Sequence, residues 1–272
     1  MRAFLYILLA ATMVSCSGYQ KLMKKGTKEE KLAAAKKYYN KKDYVRAQPL
    51  FEELLGLYYN QAQKEDIYYY FTYTHYGLGE FILAGYHFKN FAQTYAMSPR
   101  KEEASYMAAI CEFHKSMPHE LDQTPTKAAI NSLQVFINQY PNSTYVEECN
   151  KKIDELRIRL LEKVYHNATL YYHLGQFKSA IVACTNAVED YPDIINRDEL
   201  SFLIVESNYF FAKNSIVKMQ KERFENTILA ASAFKKEFKP ENKYFKEVSK
   251  IIDKVQKELA LVSTETNNKK SK

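Results

Sequence analysis

The chain has 272 residues, 46% of them hydrophobic, enough for one or two domains with an apolar core. Only seven glycines and seven prolines occur, too few for an all-β fold, while abundant Lys, Glu, Ala and Leu favour helices. The net charge of +7 comes partly from lysines near both ends of the chain, which is typical of solvated tails. The sequence contains no recognisable nucleic-acid-binding module, so no nucleic-acid partner is predicted.

The N-terminal residues 1–15 are predicted to be a signal peptide. Arg2 precedes the apolar run 3–14, which is too short for a membrane span of roughly 20 residues. The run ends at Ser15 and Cys16, and a small residue before a single cysteine resembles a bacterial lipobox. Such signals are cut before the cysteine, which then carries the acyl chains that hold the protein on a bilayer. An ordinary secretory signal with an incidental cysteine is the alternative.

The residues after the cysteine predict where the anchor lies. No aspartate follows Cys16, and no acidic run of the kind that sends some lipoproteins to the cell surface is present. By resemblance to other sorting signals, the anchor is expected in the inner leaflet of the outer membrane. The protein would then face the periplasm, with residues 16–27 as the linker to its folded part.

A repeated pattern organises the rest of the chain. In five segments a small residue is followed by larger or apolar residues four, seven and eleven positions later, offsets that share one helical face. The sets are Ala47/Phe51/Leu54/Tyr58, Ala84/Phe88/Phe91/Tyr95, Ala129/Leu133/Phe136/Tyr140, Ala180/Cys184/Ala187/Tyr191 and Thr227/Ala231/Phe234/Phe238. In four sets an aromatic residue stands three positions before the small one, while the third has Thr126 there. The pattern resembles the second helix of a tetratricopeptide repeat.

The repeats predict an all-α, tetratricopeptide-like helical solenoid of about five helix pairs plus a C-terminal capping helix. The first helices are expected at about 28–41, 62–78, 99–116, 143–174 and 197–214, and the cap at about 241–262. Repeats 1–3 would occupy residues 28–142, and repeats 4–5 with the cap residues 143–262. An insertion is expected at 116–126, where two prolines occur, and a disordered tail at 263–272.

Residues that could carry catalysis are sparse. The six histidines form no HxxxH or HExxH motif, and no P-loop, GxGxxG or GxSxG sequence occurs. Adjacent carboxylates such as Glu102 and Glu103 are interpreted as solvated. No enzyme activity, metal or cofactor is therefore expected, apart from the covalent lipid on Cys16. Cys111, Cys149 and Cys184 are interpreted as small core residues, and a bridge between the first two is left open.

Aromatic residues on the first helices predict a binding groove. Tyr69, Tyr73 and Tyr76 belong to the first helix of the second repeat, and the same alignment places Tyr39 and Asn40 in the first repeat. These helices line the concave groove of such solenoids. Tyrosine combines large contact area with a polar tip, which suits the capture of an extended peptide. The alternative is that the tyrosines only pack one repeat against the next.

The chain as a whole resembles one lipoprotein family. The lipobox, the sequence C-S-x-Y-Q-K at residues 16–21, Q-Y-P-x-S at 139–143 and five tetratricopeptide-like repeats are similar to the BamD-type lipoproteins of the outer-membrane β-barrel assembly machine. The resemblance implies a non-enzymatic protein whose C-terminal repeats dock the BamA barrel protein. Its N-terminal groove would bind unfolded segments of outer-membrane client proteins.

Three other classes of protein share some of these features. A tetratricopeptide scaffold lipoprotein for pilus or cell-wall assembly is the main alternative, although such proteins tend to keep the regular 34-residue spacing. This chain spaces its small residues by 37 to 51 residues. A lytic transglycosylase would need a further catalytic module, and a glycan-binding lipoprotein would be expected to use tryptophan, which the chain lacks.

Overall fold

A computed structural model describes residues 18–270, with side chains described as far as residue 261. Every regular element in this range is a helix, which confirms the all-α prediction. The helices are α1 (18–25), α2 (Lys28–Asn40), α3 (Tyr44–Leu57), α4 (Gln63–Gly77), α5 (Phe81–Thr94), α6 (Lys101–His114), α7 (Thr124–Gln139), α8 (Val146–His173), α9 (Phe177–Asp190), α10 (Arg197–Lys213), α11 (Val217–Glu237) and α12 (Phe245–Lys270). The signal peptide at 1–15 and the lipidation site Cys16 lie outside the described residues. Within the described part, no helix combines the length and the apolar character needed to cross a bilayer.

The helices form the expected pairs, from α2 with α3 to α10 with α11, and α12 follows as the cap. They divide into two compact units, with the boundary between Leu156 and Arg157 inside α8. In the first unit, each of the helices α2 to α7 packs against the next, and in the second unit α9 to α12 do the same. The tetratricopeptide-like arrangement of adjacent helices is thereby confirmed.

The boundary between the units differs from the one expected at residue 142. The first turns of α8 belong to the first unit, because Cys149, Ile153 and Leu156 are buried in the same apolar cluster as Ala129 and Phe136 of α7. The start of α8 therefore covers the third helix pair. Burial of these side chains moves the boundary into the helix.

The second helices are held by the repeated apolar sets. The residues at the first three positions of each set are at most 2% exposed, in all five repeats. The fourth residue, always aromatic, is the C-cap of its helix, and its N–H donates to the carbonyl of the residue four positions earlier. Small residues at the first position allow the paired helices to approach closely. The set thus specifies both the buried face and the end of each second helix.

Three of the turns inside the pairs share one geometry. Lys42, Gly79 and Gly175 have φ values of 59°, 76° and 70°, in the left-handed region. The N–H of the residue that follows each of them donates to the carbonyl five positions earlier at 2.9–3.0 Å, which satisfies a carbonyl at the end of the first helix. Glycine adopts this conformation without a Cβ penalty, whereas lysine does not. Lys42 is therefore the strained member of the three.

Replacing Lys42 with glycine is expected to raise the free energy of unfolding by about 0.5–1 kcal/mol. The relief of left-handed strain, roughly 1–2 kcal/mol, exceeds the added freedom of glycine in the unfolded chain. Urea unfolding followed by circular dichroism measures the change. Lys41→Gly is the matched control, since Lys41 has a φ of −84° and glycine there should only destabilise. A lower urea midpoint for Lys42→Gly would contradict the assignment.

The third pair has a loop in place of this turn, as the sequence predicts for this region. Residues 115–123 connect its helices, and the side-chain amide of Gln123 donates to the carbonyls of Pro118 and Leu121 at 2.8 and 3.0 Å. Thr126 is fully buried and donates to Gln123 Oε1 at 2.8 Å. Threonine thus replaces the usual aromatic residue because this position meets polar loop atoms.

Both ends of the folded part are more ordered than the sequence suggests. The linker expected at 16–27 is helical over 18–25, because Tyr19, Leu22 and Met23 pack against the first helix pair. The cap begins at Phe245 and continues to Lys270, so the tail expected at 263–272 is helical as far as it is described. That segment contains no glycine or proline to end the helix.

The three cysteines are core residues, as predicted. Cys111, Cys149 and Cys184 are fully buried and none of them is in a disulfide. Burial raises the pKa of the Cys149 thiol to about 11 and those of the other two to about 12. All three therefore remain protonated thiols at neutral pH and act as small apolar side chains.

Candidate functional site

The predicted groove residues lie on the first helices of the first two pairs. Tyr39 and Asn40 belong to α2, and Tyr69, Tyr73 and Tyr76 belong to α4. The four tyrosines are half-buried and Asn40 is exposed. We call the surface formed by these five residues the tyrosine face. Its placement agrees with the expected first-helix positions, while its role in binding stays a prediction.

A glutamate of α6 joins two residues of the tyrosine face. The hydroxyls of Tyr69 and Tyr73 both donate to Oε1 of Glu103, at 2.9 and 2.5 Å. Burial and the nearby Glu103 carboxylate raise the pKa of Tyr69 to about 12 and that of Tyr73 still further. Both phenols therefore stay neutral donors at physiological pH. The interpretation of Glu103 as a solvated carboxylate is wrong, because the hydroxyls of two half-buried tyrosines donate to it.

The rings of these tyrosines also pack within the second helix pair, against α5. The centroid of Tyr73 lies 4.9 Å from that of Phe88, edge to face, and Tyr69 lies 5.8 Å from Phe91. Tyr69 and Tyr73 are 4.8 Å apart. Edge-to-face pairs of this kind stabilise a core beyond the area that they bury. The tyrosines therefore pack one helix against the next and present their hydroxyl ends beside Glu103.

Tyr39 and Tyr76 extend the face toward its neighbours. The Tyr39 ring contacts the Tyr70 ring of α4 edge to face, with centroids 4.8 Å apart. The Tyr76 hydroxyl lies 3.1 Å from Nε2 of His114 on α6. Burial lowers the pKa of His114, so its ring is neutral at physiological pH and its nitrogen is available to this hydroxyl. The first helix of the second pair, α4, is thus tied to α2 on one side and to α6 on the other.

A row of charged side chains borders the tyrosine face. Asp66 accepts hydrogen bonds from Lys36 of α2 at 2.6 Å and from Arg100, next to α6, at 3.0 Å. Burial acts to raise the pKa of Asp66, but the two cations hold it below its ordinary value. The Arg100 guanidinium also lies 4.4 Å from the Tyr69 ring centroid, and the Lys36 ammonium 5.2 Å from that of Tyr70. Asp66 is therefore an ionised carboxylate at neutral pH.

Sequence reasoning missed these partners, although one signal was available. The Tyr69–Glu103 pair spans 34 residues, and in the second unit the Tyr172 hydroxyl donates to Glu206, also 34 residues on, at 2.7 Å. This is the usual tetratricopeptide period. A search for a tyrosine and a glutamate at that offset would have found both pairs. The spacing of the small residues conceals the period, because it includes the inserted loops.

The tyrosine face offers chemistry suited to an extended peptide. Each tyrosine hydroxyl that donates to Glu103 keeps lone pairs that accept a backbone N–H, and Glu103 Oε2 is a further acceptor. The exposed amide of Asn40 both donates and accepts. The ring edges add contact area at low cost in side-chain entropy.

Comparison with known proteins places these features in a family. The family model described as "YfiO: Outer membrane lipoprotein" matches residues 24–224, which include the whole tyrosine face. A curated relative, "Outer membrane protein assembly factor BamD" of Caulobacter vibrioides, is 27% identical over 146 residues. That match covers 54% of this chain and 48% of the relative, so the chain spans about half the length of the relative that it matches.

Proposed function

Because the chain belongs to the YfiO family of outer membrane lipoproteins, we propose that it is a non-catalytic component of the machinery that assembles outer-membrane β-barrel proteins. The resemblance to BamD-type lipoproteins is confirmed at the level of this family. In the proposal, the protein docks a BamA-like barrel protein and binds unfolded segments of outer-membrane clients. Lipid on Cys16 holds it in the inner leaflet of the outer membrane, and the folded units face the periplasm. The family match carries the proposal.

The tyrosine face supports the binding of clients. An unfolded barrel strand has unpaired N–H and C=O groups along both edges and is prone to pair with other strands. The Tyr69 and Tyr73 hydroxyls and Glu103 present acceptors for such N–H groups beside apolar ring edges. Contacts to the backbone and to rings are tolerant of sequence, as clients with different sequences require.

The second unit supports docking of the barrel protein. The family resemblance assigns docking to this unit, and its exposed apolar side chains are candidates for the buried core of such an interface. In this unit Ile216 is 71% exposed, Leu229 67% and Leu174 60%. They lie near or within the second helices of the fourth and fifth pairs, inside the range 143–262 to which docking is assigned. We propose that some of them enter the interface.

The docking assignment is tested with the full-length acylated protein. A photo-crosslinking amino acid placed at Ile216, Leu229 or Leu174 is expected to attach a BamA-like barrel protein in intact cells. Val45 is the matched control, because it is 72% exposed and lies in the first unit. Purification through the same protein should also recover the barrel protein.

Two results would count against docking by the second unit. Equal crosslinking from Val45 and from the second unit would remove the assignment to residues 143–262. Recovery of pilus or cell-wall assembly proteins in place of a barrel protein would favour the alternative, a scaffold lipoprotein of another assembly system.

A further inference from the structure

We propose that one edge of the first unit rests on the bilayer, where its lysines contact anionic phosphate headgroups and its exposed apolar side chains enter the interface. We call this edge the turn edge, since it contains the connections inside the first three helix pairs, at 41–43, 78–80 and 115–123. The inference rests on the lipid at Cys16, which is part of the proposed function. It goes further by assigning a membrane-facing surface to the folded protein.

The three connections lie on the same edge. A Cβ on Gly77, at the end of α4, would collide with the Tyr44 ring at the start of α3, so the first two connections are neighbours. The rings of Phe81, at the start of α5, and His114, at the end of α6, stack with centroids 4.3 Å apart. The second and third connections are therefore neighbours as well.

The chain enters the folded part at this edge. The Tyr19 hydroxyl donates to the carbonyl of Arg46 at 3.1 Å, and its ring lies 5.8 Å from that of Tyr38, so the start of α1 meets the first connection. Cys16 precedes Gly18 by two residues, which span at most about 7 Å. Acyl chains on Cys16 would therefore enter the membrane close to the turn edge.

The junction between α1 and α2 is closely packed and leaves little freedom for the anchor to swing. The N–H of Gly26 donates to the Leu22 carbonyl at 2.8 Å, and a Cβ at this glycine would lie 2.6 Å from the same oxygen. Thr27 then caps α2 through a reciprocal pair of hydrogen bonds with Glu30. The tether therefore holds one particular edge toward the bilayer.

Lysines cluster where the chain enters. Lys21, Lys37, Lys41 and Lys42 are exposed at or near the first connection. The acidic residue of that connection, Asp43, is engaged by Arg46 at 3.1 Å and caps α3. A lysine near an anionic membrane surface strengthens binding about fivefold, provided that it lies within the screening length of roughly 8 Å. The cluster therefore favours headgroups that carry phosphate negative charge.

Farther along the same edge, apolar side chains are exposed. Ile82 is 73% exposed, Leu83 47% and Met117 42%, and they line an open cleft of about 860 Å³. The charged groups beside it have partners, because Lys115 pairs with Glu112 at 2.6 Å and Glu80 binds His75 at 2.5 Å. Basic and apolar residues on one surface are typical of proteins that lie in the membrane interface.

The first test measures depth in the membrane with the acylated protein. The chain contains no tryptophan, so a single introduced tryptophan reports its own surroundings. In phosphatidylethanolamine and phosphatidylglycerol vesicles with brominated acyl chains, we expect the emission of the Ile82→Trp variant to be quenched. Val135→Trp is the control, since Val135 is 53% exposed but lies about 16 Å along α7 from the turn edge. Equal quenching of the two variants, or none in either, would overturn the proposal.

The second test distinguishes the effect of the turn-edge lysines on vesicle binding from the effect of the protein's net charge. The mature chain 16–272 with Cys16→Ser, which carries neither the signal peptide nor lipid, is expected to bind vesicles with phosphatidylglycerol and not vesicles of phosphatidylcholine alone. Lys41→Glu with Lys42→Glu should weaken that binding about thirtyfold or more. The control pair Lys25→Glu with Lys64→Glu makes the same charge change at the opposite end of the first pair, where Lys28 meets Gln61.

The outcomes distinguish this proposal from the proposed function. Equal loss of vesicle binding by the two charge-matched double variants would overturn the assignment of the turn edge. Binding without preference for anionic lipid would overturn it as well. A protein that still co-purifies with the barrel protein while its Ile82→Trp probe stays unquenched would retain the assembly function and lose the membrane-facing edge.

Discussion

Replacing Cys16 with alanine is expected to abolish acylation and to leave the protein either unprocessed, with its signal peptide attached, or released from the tightly bound membrane fraction. Each buried methylene group of an acyl chain contributes about 0.8 kcal/mol, so several chains provide an anchor that electrostatic contacts do not replace. Any attachment left through the lysines would be reversible and weakened by salt. Fractionation after a high-salt wash, with the intact mass of the mature protein, measures the change.

Ser17→Ala is the control for this experiment, because it alters the neighbouring position and keeps the cysteine. It should leave the protein in the membrane fraction with lipid attached. A mature N-terminus elsewhere, without lipid, would show that the N-terminal segment is an ordinary secretory signal. That result would also remove the tether on which the membrane-facing edge depends.

Replacing both Tyr69 and Tyr73 with phenylalanine is expected to weaken the binding of unfolded barrel peptides roughly thirtyfold. Each lost hydroxyl contact is worth about 1 kcal/mol, and tenfold in affinity corresponds to about 1.4 kcal/mol. Phenylalanine keeps the rings against Phe88 and Phe91, so the packing of α4 on α5 is retained. Crosslinking to client peptides and direct titration measure the loss.

Alanine at the same two positions would be a poorer test of binding. Removing a packed aromatic ring costs about 3–5 kcal/mol of stability, which would confuse unfolding with lost affinity. Tyr172→Phe is the matched control, since its hydroxyl binds Glu206 at 2.7 Å in the same way but outside the tyrosine face. It should leave client binding unchanged.

The result also decides between the two interpretations of the tyrosine face. If the double phenylalanine variant binds client peptides normally, the hydroxyls serve only the contact with Glu103, and the groove assignment fails. If it loses client binding but still recovers the barrel protein, client binding and docking use different parts of the chain. Circular dichroism of the variant establishes that the fold is retained in either case.

The sequence by itself determined the helices, their pairing and the family. Positions four and seven residues apart share a helical face whatever surrounds them, which is why sets such as Ala84, Phe88 and Phe91 predicted the buried residues correctly. The interpretation of the cysteines as core residues was also a local inference. It depended on their number and on their positions within predicted helices.

The tertiary structure alone decided which side chains meet. The contacts of Tyr69 and Tyr73 with Glu103 depend on how α4 crosses α6, and the insertions hide the repeat period that would align them. Burial of Cys149 and Leu156 moved the unit boundary into α8. Packing of Tyr19 turned an expected linker into a helix and brought the start of the folded chain to the edge that carries Lys41 and Ile82. Helical periodicity is a local property of the chain, whereas these contacts depend on how the helices are placed relative to one another in space.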